Sequence, residues 1–131
     1  DTIMQPKDVY AQVLHKMSDS DEVVLVLFPT QRPEKFGMVR LGTDYRVVEI
    51  VDKPAHTDLT FMWGGIVWCS RFTEYLHDCV KNKGISDFAM IMNSAIAAGY
   101  KFRGVPFTDG VYIDLGTYEE ILEMDHRYRE E

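Results

Sequence analysis

Glu22-Val23-Val24-Leu25-Val26-Leu27-Phe28 is an apolar run behind one glutamate, stopped by Pro29. Its length and its branched side chains predict a strand buried on both faces, as in a parallel sheet. A strand of that kind needs a full domain around it. The 131 residues form one expected domain, 1–131, and a chain near this size buries roughly 65–70% of the surface it exposes when unfolded.

Periodic segments flank the run. Lys7 to Met17 reads as an amphipathic helix with Tyr10, Val13, Leu14 and Met17 on one face, and Pro6 stands just before it. Phe36 to Leu41 and Arg46 to Val51 read as a hairpin around Gly42-Thr43-Asp44-Tyr45. Met62 to Cys69 reads as a further strand, and Gly64-Gly65 inside it predicts a bulge or the close approach of another group. Ser70 is the expected N-cap of a helix through Val80, and Ser86-Asp87 opens another that Gly99 ends. Lys101 to Phe107 and Val111 to Ile113 complete the strands, and Tyr118 to Arg129 reads as a closing helix. Helices alternating with strands, with a hairpin embedded, predict an α/β fold with a mixed, mostly parallel sheet and flanking helices.

Net charge is −7, which excludes the basic surface that nucleic-acid binding requires. Cys69 and Cys79 have no metal-like spacing, no signal peptide is visible and no apolar run is long enough to span a bilayer. No membrane partner is expected, and a reducing cytoplasm is the expected compartment. The chain begins at Asp1 rather than Met, so further residues upstream are expected.

The candidate chemistry is carried by acids, lysines and glycines. Asp114 closes an apolar strand, Tyr112-Ile113-Asp114, ahead of Gly116-Thr117. Taken alone, such an aspartate caps a turn or helix as readily as it binds a metal. Lys53, at a strand end before Pro54, reads as a surface lysine or as a point charge aimed at phosphate. Gly37 and Gly65 either serve a turn or bulge or let a ligand reach the backbone. Lys83-Gly84 reads as a helix end or as a basic group lining a cleft. His15, His56, His77 and His126 show no metal spacing, and neither a Gly-x-Ser-x-Gly elbow nor a Walker-type phosphate loop is present.

Taken in order, Pro33-Glu34-Lys35-Phe36-Gly37-Met38-Val39, Ile50-Val51-Asp52-Lys53-Pro54, Gly64-Gly65-Ile66-Val67-Trp68 and Tyr112-Ile113-Asp114-Leu115-Gly116-Thr117 form a pattern. It resembles the second half of the catalytic domain of sugar-phosphate nucleotidylyltransferases of the glucose-1-phosphate thymidylyltransferase type. The resemblance implies a Rossmann-like nucleotide-diphospho-sugar transferase fold, with a sugar-1-phosphate and a nucleoside triphosphate as substrates. It implies Mg²⁺ held by Asp1 and Asp114, with Asp114 and Lys53 as catalytic residues. Asp52, Lys53 and Pro54 fall on a Glu-Lys-Pro segment that contacts the sugar and its phosphate. Gly37 and Gly65 fall on glycines beside the sugar, and Lys83 falls near a basic phosphate-binding residue, usually arginine.

The family's first half carries a Gly-rich nucleotide loop with an arginine and a lysine, and nothing in this chain matches it. The chain is therefore expected to supply the sugar-phosphate and metal half of nucleotidyl transfer, and to be inactive as an isolated piece. The alternative is a non-catalytic sugar-phosphate-binding or assembly domain derived from such an enzyme. A glycosyltransferase with a similar core would prefer a clustered Asp-x-Asp metal motif. A half-domain standing alone would also leave a sheet edge open to a second copy, which makes a homo-oligomer an expectation.

Overall fold

The computed structural model describes residues 2–114. Asp1, Gly116-Thr117 and the closing helix expected over Tyr118 to Arg129 lie outside the described residues. The strands are β1 (Thr2–Gln5), β2 (Val23–Pro29), β3 (Gly37–Leu41), β4 (Val47–Asp52), β5 (Phe61–Trp68), β6 (Phe102–Pro106) and β7 (Val111–Asp114). The helices are α1 (Val9–Lys16), α2 (Ser70–Lys81) and α3 (Phe88–Ala97), and short 3₁₀ turns span Pro33–Lys35 and Thr43–Tyr45.

Five strands form one sheet in the order β4-β3-β5-β2-β6. The apolar run is β2, and each residue from Val23 to Phe28 has 0% of its surface exposed. Its side chains alternate between two cores. Val23, Leu25 and Leu27 join Phe72, Ile91 and Met92 of α2 and α3. Val24, Val26 and Phe28 join Val9 and Val13 of α1 on the other face. The mixed α/β class is as expected, but the balance of pairing is corrected. β2 runs parallel to β6 on one side and antiparallel to β5 on the other, and β3 is antiparallel to both β4 and β5. A doubly buried strand needs cover on both faces, which either ladder type satisfies once helices lie above and below.

α1 presents a different stripe from the expected one. Val9 and Val13 are buried, whereas Tyr10 is 42% and Leu14 59% exposed. Two helical turns fit either stripe by period alone, and packing on β2 selects Val9 and Val13. Cys69, not Ser70, occupies the cap position of α2. Asp87 does open α3, its Oδ1 accepting the Met90 N–H at 3.1 Å.

β7 does not pair with β6, its sequence neighbour. It forms a separate antiparallel ribbon with β1, a strand absent from the sequence reading, with Thr2 opposite Asp114 and Met4 opposite Tyr112. Tyr112 ties this ribbon to the main sheet. Its ring lies 5.7 Å from that of Phe28 and 5.8 Å, edge-on, from that of Phe36. The seat beneath it is the bulge expected at Gly64-Gly65: Val26 pairs with Gly65 and Leu27 with Trp63, leaving Gly64 as the extra residue. A Cβ on Gly64 would stand 2.5 Å from the Tyr112 ring.

The edges of the main sheet are partly covered. Asn93 of α3 bonds the Ile50 peptide of edge strand β4. An isolated bridge from Arg46 to Arg103 brings the start of β4 against the opposite edge strand, β6.

Candidate functional site

Three of the candidate residues meet at one corner. Gly37 opens β3 and is the register partner of Asp52, the last residue of β4. Lys53 follows, and its N–H donates to the Phe36 carbonyl at 2.9 Å. Met38, next to Gly37, bridges Met62, which pairs with Phe28 near the carboxyl end of β2. Ligands in open α/β sheets bind beyond such carboxyl ends.

Lys53 has an unusual backbone. Its φ is +46°, in the left-handed region, although a residue before proline is biased to extended conformations. A bulky residue held there costs about 1–3 kcal/mol, and such strain concentrates at functional positions. The kink lies between the end of β4 and Pro54, and both Asp52 and Lys53 are exposed.

The glycines open to opposite faces of the sheet. A Cβ on Gly37 would lie 2.4 Å from Nε1 of Trp63, on the α2–α3 face. A Cβ on Gly65 would lie 2.5 Å from the Tyr10 hydroxyl, on the α1 face. Side chains of this protein therefore fill the space that each glycine leaves. The indole over Gly37 makes Trp63 part of the corner.

Lys83 is placed differently from Lys53. Its Nζ lies 3.8 Å from an Asp78 carboxylate oxygen and 5.9 Å from the Tyr75 ring centre. These partners belong to α2. The link that carries Lys83 leads into Phe88, whose ring stands 5.9 Å from that of Trp63.

Asp114 ends β7 directly opposite Thr2. Among the described residues there is no group of three or more His, Cys, Asp or Glu that could hold a metal. The expectation that the chain lacks an Asp-x-Asp motif is corrected by Asp19-Ser20-Asp21, but the structure commits Asp21 elsewhere. Arg103 Nη2 donates to Asp21 at 2.6 Å and to the Lys16 carbonyl at 2.8 Å, and Nε donates to both Asp21 oxygens at 3.1 Å. Burial opposes the Asp21 charge, but the Arg103 guanidinium and the Ser18 N–H outweigh it and hold the carboxyl below its ordinary value. Asp21 in turn raises Arg103. The pair anchors β6 to the loop before β2. Among the described residues no helix is long and apolar enough to cross a membrane.

Comparison with known proteins agrees with this architecture. Two glucose-1-phosphate adenylyltransferases of Clostridium perfringens, from strains 13 and SM101, are each 27% identical over 119 residues. Each match covers 86% of this chain and 30% of the relative, so the chain spans under a third of their length. A Bacillus anthracis protein described as a glucose-1-phosphate thymidylyltransferase, crystallised with sucrose, superposes with a TM-score of 0.75. That match covers 98% of this chain and 52% of the other, and at 17% identity the likeness is one of fold. The nucleotidyl transferase family model matches residues 1–131, the whole of the sequence, and on that match the chain belongs to the nucleotidyl transferase family.

Proposed function

We propose that this chain forms the sugar-phosphate and metal side of a nucleotidyl-transfer site. In the reaction, a sugar-1-phosphate oxygen attacks the α-phosphorus of a nucleoside triphosphate, giving a nucleotide sugar and pyrophosphate. The observation that carries the reading is the β1–β7 ribbon. It sets Asp114 opposite Thr2, and Asp1 is one peptide bond from Thr2. The ladder thus sets the sequence neighbour of Asp1 opposite Asp114, which supports a shared role for the two acids.

Carboxylate oxygens suit a hard cation, and Mg²⁺ typically takes one or two carboxylates together with substrate phosphates. Asp1 and Asp114 are the residues that would hold it. When bound, Mg²⁺ neutralises charge on phosphoryl oxygens.

The remaining work falls to the corner. Lys53 supplies a point charge for the sugar phosphate, and its left-handed kink supports a positioning role. Asp52 offers carboxylate oxygens to sugar hydroxyls, and Lys83 offers a second cation from the α2–α3 link. No side chain needs to act as a general base, because the attacking phosphate oxygen is already ionised near neutral pH. Catalysis of this kind is mostly positioning and charge stabilisation.

Asp114→Asn tests the reading in the protein that carries this chain. Mg²⁺-dependent formation of nucleotide sugar is expected to vanish while the circular dichroism spectrum is kept. Unchanged turnover would remove Asp114 from the site.

A further inference from the structure

Trp63 is half-buried on β5, and the edge of its indole lies over the α-carbon of Gly37. A Cβ there would stand 2.4 Å from Nε1 and 3.0 Å from Cδ1. The Phe88 ring supports the indole from α3 at a tilt of 41°. The other indole, Trp68, donates its N–H to Thr73 Oγ1 at 2.9 Å. Trp63 has no such partner among the described residues. Gly37 pairs with Asp52, and Lys53 follows it, so the unpartnered indole N–H belongs to the same corner as one acid and one cation.

These groups complement a polyhydroxylated ring carrying a phosphate. An aromatic surface covers the apolar C–H face of a sugar, an indole N–H donates to a hydroxyl, and a lysine meets the phosphate. Resting on the reading of the corner as a sugar-phosphate site, we propose that Trp63, rather than the Gly37 backbone, receives the sugar ring and selects among sugars. The glycine is then required by the protein's own indole, whose position sets how deep a sugar can enter.

The test uses the Trp68→Phe background, in which Trp63 is the sole tryptophan within residues 1–131, with any tryptophan outside them replaced by Phe, and α-D-glucose 1-phosphate as probe. Calorimetry measures affinity, tryptophan emission reports on Trp63, and inorganic phosphate serves as the control ligand. Emission is expected to change with the sugar phosphate and not with inorganic phosphate. Trp63→Leu, which keeps an apolar filling, should weaken sugar-phosphate affinity roughly tenfold. It should leave inorganic phosphate affinity and the melting temperature nearly unchanged, and Trp63→Phe should restore part of the loss. Binding by the parent protein with silent Trp63 emission, and with Trp63→Leu within twofold of the parent, overturns the Trp63 assignment and leaves the corner standing. Absence of any glucose 1-phosphate binding by the parent overturns the corner and the assignment together.

Discussion

The side-chain amide of Asn93 is joined to the peptide of Ile50 by two hydrogen bonds. Oδ1 accepts the Ile50 N–H at 2.8 Å, and Nδ2 donates to the Ile50 carbonyl at 2.8 Å. A helix residue thus does for the outer edge of β4 what a neighbouring strand would do. It also docks α3 on that edge, where an unpaired peptide would otherwise invite another chain.

Asn93→Leu keeps the branched side-chain outline but removes both hydrogen-bonding groups. Leaving two half-buried polar groups unpaired is expected to cost about 2 kcal/mol. Urea unfolding should show that loss, and sedimentation should show more self-association than the parent. A variant as stable and as monodisperse as the parent would show that the edge is protected by other means.

Asp21 and Arg103 predict how stability responds to acid. The folded-state value of Asp21 lies below its ordinary value of 3.8. The unfolded chain therefore takes up a proton first as pH falls. The contribution of the pair is complete above the ordinary carboxylate value and is lost as pH drops through the lower, folded one. Asp21→Asn is expected to reduce stability at pH 7 by about 2 kcal/mol, the range for hydrogen bonds to charged groups. The difference between parent and variant should shrink below pH 3.8, and equal differences at pH 7 and pH 3 would count against the pair as the source.

Gly64 and Gly65 are predicted to respond unequally to alanine. A methyl group on Gly64 meets the Tyr112 ring at 2.5 Å and Phe28 at 2.9 Å, and Phe28 is fully buried. On Gly65 the first obstacle is the Tyr10 hydroxyl at 2.5 Å, on a side chain 42% exposed and able to swing outward. Gly64→Ala should cost about 2 kcal/mol, within the range for overpacking a core. Gly65→Ala should cost clearly less, and Tyr10→Phe should recover part of that loss. Melting temperatures of the three variants decide the order.

Lys53 separates strain from binding. Lys53→Gly relieves the left-handed backbone and is expected to raise stability by about 0.5–1 kcal/mol. Lys53→Ala keeps the strain and should not stabilise. Both should raise the KM for sugar phosphate more than that for nucleotide. Equal effects on the two substrates would remove Lys53 from the phosphate.

Segments with a strong local signature were legible from the sequence. The apolar run became β2 because six successive apolar residues tolerate only a doubly buried strand. The hairpin of β3 and β4, the bulge at Gly64 and the start of α3 at Asp87 followed from turn chemistry, missing side chains and capping. The corner of Gly37, Asp52 and Lys53 was half legible. Their residue types were visible, but the register that joins Gly37 to Asp52 was not.

Sequence alone determined the residues that can carry charge, tolerate a bulge or start a helix, because those properties are local. Only the tertiary structure decided that α1 buries Val13 with Val9 rather than with Tyr10 and Leu14, since two short turns fit either stripe. It alone paired β7 with β1, because strands at the two ends of the described chain share no local signal. It also decided that Trp63 and Tyr10 fill the spaces above Gly37 and Gly65. A glycine announces that something approaches its backbone closely, and only long-range packing says whether that is a ligand or the protein's own ring.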